Sequence, residues 1–242
     1  MHQDSQQKTA FATHIGFYEY LTMPFGLANS GASFQRLKGH VLRGLEYRFP
    51  LIYIDDKIIY KSVDEPLVHL EEVFRRLRDA DVKLNPKKCS FFKQRVEYLG
   101  HVVTPEGISP NPDKVRVVQV FPTPTNLKEL TNFLGLAYYY RRYVRGFSNI
   151  ANPLHALTKK NVPFVWTVAC AEACADKLKR ALVSAPILAY PNFREPFLLF
   201  VDASPTGIGF TLAQIENGKE VVIAYSGRGL NQAEQNYSTT ER

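Results

Sequence analysis

The residues most able to do chemistry are two adjacent carboxylates, Asp55 and Asp56, inside the run LIYIDDKIIY. β-Branched and aromatic residues flank them on both sides, which predicts a hairpin with the acids at its tip. Neighbouring carboxylates repel each other, so this placement costs stability unless a cation offsets the charge. Magnesium suits such a site, with manganese as a substitute, because a hard ion takes carboxylate oxygen and keeps positions open for water and phosphate. Two such ions about 4 Å apart stabilise the attacking and leaving oxygens of an in-line phosphoryl transfer. An arbitrary Asp-Asp pair is more often just a polar turn. A second candidate is the cluster Tyr138, Tyr139, Tyr140, Arg141, Arg142 and Tyr143, with Arg145 beyond it. Guanidinium groups neutralise phosphates and aromatic rings pack on sugar edges, although about half of such a cluster must face inward on any helix.

The elements that must hold these residues are legible as hydrophobic periodicity and turn chemistry. MPFGLANSG is turn-rich and leads, with Asn29 or Ser30 as cap, into an amphipathic helix from Ala32 that lines up Phe34, Leu37, Val41 and Leu42. A helix is predicted over 65–81, where Leu67, Leu70, Val73, Phe74 and Leu77 recur at three- and four-residue steps. LNPKKC breaks it, short strands follow in SFFKQRVEYLGHVVT with a turn at PEG, and another helix starts at about Lys114. In FPTPTNLKELTNFLGLAYYYRRYVRGF two prolines open a basic, aromatic helix capped by Thr125 or Asn126, which reads as a connector between two units. A helix over 169–183 then precedes strands in PFLLFVDASPTGIGFTLAQ and KEVVIAYSGR, separated by the turn ENGKE. Hairpins alternating with helices predict an α+β layer architecture.

Composition narrows the class. The chain has 242 residues, with 30 Lys+Arg against 23 Asp+Glu and a formal charge of +7, which favours acidic partners and nucleic acid first among them. Its 45% hydrophobic and 12% aromatic content excludes a disordered chain. Cys89, Cys170 and Cys174 are too few for a disulfide framework and make a poor zinc signature. No run approaches the roughly 18 apolar residues of a membrane span. MHQDSQQKTAF is polar where a signal peptide would be apolar, so cytosol or nucleus is expected rather than secretion, with no membrane partner.

YIDD, together with KTAFATHIGFYEYLTMPFGLANSGASFQR upstream and VKLNPKKCSFFKQRVEYLGHVVTPEGISPNPDKV downstream, resembles the polymerase core of reverse transcriptases of gypsy-type LTR retrotransposons and their retroviral relatives. The resemblance runs essentially from end to end with several motifs in order. It implies a partial right-hand polymerase palm over 1–107, a thumb or connection over 108–165, and the opening part of an RNase H-like α/β domain over 166–242. By this resemblance Asp55 binds catalytic magnesium and Asp56 supports the site, while Lys57 departs from the family's usual apolar residue. Pro24, Phe25 and Gly26 fall on the segment that meets the incoming deoxynucleoside triphosphate, with Phe25 packing on it. Gln35, in Phe34-Gln35-Arg36, begins the helix behind that pocket. Lys87 and Lys88 match a lysine-bearing loop near the pyrophosphate leaving group. Tyr98, Leu99 and Gly100 resemble the hairpin that grips the primer strand, and Arg141 and Arg142 lie on the template-primer surface. Asp202, followed by Gly207 and Gly209, resembles the first metal-binding strand of RNase H. Glu241, near the start of that domain's first long helix, matches the second acidic ligand. Taken alone, a single Asp ending a strand and a single Glu near a helix start are usually structural.

The same resemblance places another polymerase aspartate upstream of KTAF, and further RNase H acids and a histidine loop downstream of Arg242. The expected function is RNA-directed DNA polymerisation joined to RNA-strand cleavage, on an RNA/DNA template-primer, with little or no activity expected of these residues by themselves. The alternative is a decayed or co-opted remnant that binds nucleic acid without catalysis.

Overall fold

Hairpins and helices alternate along the chain, as the pattern predicts. The computed structural model describes residues 1–45, 50–53, 56–59 and 66–238. They pack as two units, Met1–Phe91 and Phe92–Arg242.

The first unit opens with a single helical turn, α1 (Gln3–Gln6), and a small hairpin, β1 (Phe11–Thr13) and β2 (Gly16–Tyr18). Helix α2 (Ser30–Val41) begins earlier than the apolar periodicity suggests, so Gln35 sits inside it rather than at its start. Its buried residue is Lys38, at 0% exposure, whose ammonium lies 4.4 Å from the centre of the Phe34 ring, whereas Leu37 is exposed. A lysine stem packs like an apolar chain, and the cation is drawn to the ring face, which a binary apolar pattern does not register. Strands β3 (Pro50–Tyr53) and β4 (Asp56–Ile59) pair antiparallel with Tyr53 opposite Asp56. Asp56 is therefore the first residue of β4, whereas Asp55, expected with it at the tip, lies outside the described residues. Helix α3 (Pro66–Asp79) matches the predicted helix, but its buried side is Val73 and Leu77, which join Leu42 and Leu45 in a small core while Leu67 stays exposed.

The second unit starts with a three-stranded antiparallel sheet in the order β5 (Val96–Tyr98), β6 (His101–Thr104), β7 (Gly107–Pro110). Helix α4 (Pro112–Gln119) starts at the NPD proline, with the Asn111 side chain accepting from the Asp113 N–H. Helix α5 (Leu127–Tyr139) is capped by Asn126, which accepts from the Glu129 N–H, while Glu129 reaches back to the Thr125 N–H. It ends at Tyr139, and Arg141–Tyr143 form a separate 3-10 turn, so the aromatic and basic cluster is split between two elements. Helix α6 (Phe147–Ala156) follows. The stretch expected to be one α-helix is α7 (Val168–Ala171), a π-helical segment (Glu172–Lys179) and α8 (Arg180–Val183). Strands β8 (Leu198–Ala203), β9 (Gly207–Glu216) and β10 (Lys219–Gly229) form an antiparallel meander.

One core serves this unit. Leu130, Phe133, Leu134 and Ala137 of α5 pack with Leu154 of α6, Leu178 of the π segment and Leu182 of α8. The segment 186–190 ties the two sheets: Ile108 and Leu188 exchange both backbone hydrogen bonds at 2.8 and 2.9 Å, and the Ala189 N–H donates to Val222 O at 2.8 Å. The approach requires a glycine on β7, because a Cβ on Gly107 would lie 2.2 Å from the Leu188 carbonyl oxygen. Gly107→Ala is expected to lower the unfolding free energy by about 1–3 kcal/mol, the usual cost of overpacking. Urea denaturation checks this, and an unchanged midpoint would mean that the two sheets are not held at that contact.

Candidate nucleic-acid interface

β5 and β6 are joined by only two residues, Leu99 and Gly100, with φ of +48° and +71°. Two successive left-handed residues make the tight turn that matches the twist of a hairpin, and its usual occupants are Asn and Gly. Asn217 and Gly218, between β9 and β10, fit that preference with φ of +51° and +76°. Leu99 does not, since a left-handed conformation costs a side chain with a Cβ about 1–2 kcal/mol.

The tyrosines at the end of α5 offset this cost. The Tyr139 hydroxyl donates to Leu99 O at 2.6 Å and the Tyr140 hydroxyl donates to Gly100 O at 2.9 Å. Each such bond is worth about 0.5–1.5 kcal/mol net, so the pair matches the strain in scale. Burial, with a smaller push from Tyr139, raises the Tyr140 pKa to about 12, which keeps its hydroxyl a donor. Because a trans peptide points its C=O and N–H in opposite directions, gripping Leu99 O turns the Gly100 N–H away from Tyr139. Among the described residues that N–H has no acceptor.

His101, the residue after the turn, completes the packing. Its ring stacks on Tyr139 at 5.4 Å with an 11° interplanar angle, meets Tyr140 edge-on at 5.6 Å, and places Nδ1 2.9 Å from the Tyr143 hydroxyl. Burial first, and then the charge of Arg142, hold its pKa below the ordinary 6.5. Tyr140 and Tyr143 are buried, whereas Tyr138, Tyr139 and the three arginines Arg141, Arg142 and Arg145 are exposed. The Arg141 guanidinium lies 4.0 Å from the centre of the Tyr138 ring, presenting cation and aromatic face together.

The remaining candidates are distributed along the chain. Phe25 and Gly26 occupy a turn ahead of α2, with the Phe25 ring fully exposed and Pro24 half-buried. Gln35 is half-buried in α2. Lys87 and Lys88 are exposed in a 3-10 turn capped by Asn85, whose side chain accepts from the Lys87 N–H. Asp202 is exposed on β8, opposite Gly209. Two residues later the Ser204 hydroxyl donates to Asn149 Oδ1 of α6 at 2.8 Å and accepts from the Gly207 N–H at 3.0 Å, which fixes the turn that follows Asp202. Glu241 lies outside the described residues; of the segment expected to start its helix, Asn236 ends a 3-10 turn (Glu234–Asn236) and Tyr237 and Ser238 are not helical. Among the described residues no three His, Cys, Asp or Glu side chains come together to hold a metal ion, so these residues alone do not compose a divalent-metal site.

Sequence reasoning missed His101, Asn149 and the roles of the tyrosine hydroxyls. Only the unusual density of tyrosines in LAYYYRRY hinted at the last of these.

The arrangement is that of a right-hand polymerase palm and thumb followed by an RNase H-like portion, and it superposes on solved retroviral enzymes of that class. A foamy viral protease-reverse transcriptase in complex with double-stranded DNA matches with a TM-score of 0.86 and 27% identity, over 100% of this chain and 42% of that one. The foamy viral enzyme in complex with an RNA/DNA hybrid matches with a TM-score of 0.77 and 26% identity, over 99% and 32%. Residues 1–103 match the family "Reverse transcriptase (RNA-dependent DNA polymerase)", and residues 166–242 match the "RNase H-like domain found in reverse transcriptase". Residues 1–103 and 166–242 thus carry the reverse transcriptase and RNase H-like domains, and the relatives similar to the chain from end to end are LTR-transposon Pol polyproteins. It is 42% identical over 243 residues to the retrovirus-related Pol polyprotein from transposon 297 of Drosophila melanogaster, and 36% identical over 253 residues to that from transposon gypsy. It spans 23% and 24% of their respective lengths. Both domain families generally work with divalent metals.

Burial of neutral histidine makes the second unit sensitive to acid. Unfolded His101 takes up a proton near pH 6.5 and the folded residue only at lower pH, so its contribution to stability is complete above 6.5 and is lost as pH falls through the folded value. The shifted carboxylates Glu72 and Glu234 titrate below 4.5 and leave this window clear. Thermal melts should therefore show lower stability at pH 5.5 than at 7.5, and His101→Gln should shrink that difference. An equal difference in the variant would contradict the assignment.

Proposed function

We propose that the chain handles the template-primer of a retroelement RNA-directed DNA polymerase, with 1–107 as palm, 108–165 as thumb or connection and 166–242 as an RNase H-like domain. The observation that carries this reading is the Leu99–Gly100 turn, held from behind by Tyr139 and Tyr140 within the unit that exposes Arg141 and Arg142. A backbone N–H turned away from Tyr139 and exposed guanidinium groups suit the sugar-phosphate backbone rather than base edges, so binding is independent of sequence. Tyr98, Leu99 and Gly100 contact the primer strand in this reading. The foamy viral complexes with double-stranded DNA and with an RNA/DNA hybrid support both kinds of duplex as partners.

For the chemistry, Pro24, Phe25, Gly26 and Gln35 form the pocket for a deoxynucleoside triphosphate, with the exposed Phe25 ring packing on it. Lys87 and Lys88 meet the pyrophosphate. Asp55, supported by Asp56, takes magnesium or manganese on the polymerase side, and Asp202 and Glu241 take it on the RNase H side. When bound, the metal stabilises charge on the attacking and leaving oxygens of phosphoryl transfer. The three cysteines are free thiols, in keeping with a cytosolic or nuclear setting.

Fluorescence anisotropy with a labelled template-primer tests the binding half. Affinity should fall steeply between about 50 and 200 mM salt, and replacing both Arg141 and Arg142 by Ala should reduce the slope of log K against log salt by about 2. No duplex binding at low salt, or a slope untouched by the double substitution, would contradict the reading. Primer extension on a homopolymer template with magnesium or manganese tests the other half: any incorporation should vanish in Asp55→Asn, and incorporation that survives removes the role given to Asp55.

A further inference from the structure

The geometry points to Tyr139 as a positioning residue for the primer terminus, acting through the backbone of Leu99 rather than by touching the strand. This rests on the reading of the Leu99–Gly100 turn as the primer contact, and it adds the group that sets the shape of that turn.

Three independent observations single out Tyr139. Leu99 is held at φ +48°, a conformation its side chain disfavours and its position in a two-residue hairpin demands. Among the described residues the Tyr139 hydroxyl, at 2.6 Å, is the only donor to the Leu99 carbonyl, whereas the Gly100 carbonyl has two donors, the Tyr140 hydroxyl at 2.9 Å and the Asn111 N–H at 3.0 Å. The Tyr139 ring is fixed by its stack on His101, so the hydroxyl is presented from a ring that has little freedom to swing. Loss of the Tyr139 hydroxyl thus frees the peptide between Leu99 and Gly100 to rotate. The second carbonyl remains bonded to Asn111 even without Tyr140. Tyr139 governs the turn and Tyr140 backs it up.

Tyr139→Phe keeps the ring, its stack and its exposed edge, and removes one hydroxyl. The test is anisotropy on the full chain with two duplexes of equal length, one with a recessed primer 3′ end and one blunt. The wild type should prefer the recessed end. Tyr139→Phe should reduce that preference about threefold to tenfold, the worth of one hydrogen bond, with blunt-duplex affinity unchanged and at most a small drop in the thermal midpoint. Tyr140→Phe should reduce it less. Gly100→Ala, whose Cβ would lie 3.0 Å from the Tyr140 hydroxyl in a left-handed position, serves as the control for the turn itself and should also erode the preference. If Gly100→Ala erodes it and Tyr139→Phe does not, the positioning role is wrong while the primer-contact reading stands. If the wild type shows no preference, or Gly100→Ala leaves it intact, that reading fails and the role of Tyr139 falls with it. A loss of blunt-duplex affinity in Tyr139→Phe equal to the loss for the recessed end would overturn the role as well, because it would show a contact along the duplex and not at its end.

Discussion

A backbone conformation that its own residue resists organises the second unit. Leu99 occupies a left-handed position with only Gly100 to share the turn, and the turn persists because α5 ends in tyrosines whose hydroxyls reach its carbonyls. The contrast with Asn217-Gly218 shows what is unusual here, since that turn has the same backbone shape and a sequence that prefers it. Gly100 O is also where other elements converge. It accepts from the Asn111 N–H, while the Asn111 side chain caps α4 through the Asp113 N–H and donates to Glu97 on β5. The hairpin turn, the start of α4 and the end of α5 thus hang on one pair of peptide carbonyls.

The same unit carries that constraint toward the RNase H-like sheet. Leu188 pairs with Ile108 on β7, its neighbour Ala189 bonds Val222 on β10, and the Tyr190 hydroxyl lies 2.9 Å from Thr104 O and 3.0 Å from Gly107 O. From the other side, Asn149 of α6 fixes the Ser204 turn just after Asp202. Hydrogen bonds and close packing, rather than a flexible linker, therefore connect the proposed primer contact with the strand that carries Asp202.

Local rules made much of this legible. Apolar residues at three- and four-residue steps marked α3, two prolines with Thr125 or Asn126 as cap marked the start of α5, and Pro105-Glu106-Gly107 marked the turn between β6 and β7. What escaped was set by distant contacts. Lys38 is buried with its ammonium beside the Phe34 ring, and no periodicity of apolar residues announces a buried lysine. The pairing of Tyr53 with Asp56 moved the second acid from tip to strand, a one-residue matter of register that β propensity does not decide. Tyr-Leu-Gly gave no sign of a left-handed leucine, because the groups that hold it lie forty residues later in the chain. The Tyr98-Leu99-Gly100 segment was singled out by motif, while the reason its backbone takes this shape was not legible.

Amide hydrogen exchange of the full chain, with and without a recessed template-primer duplex, tests the central claim most directly. Binding at the tyrosine-held turn predicts added protection in peptides covering 96–104 and 138–145, with the Gly100 amide changing most. Protection confined to other segments, with both of these unchanged, would contradict it.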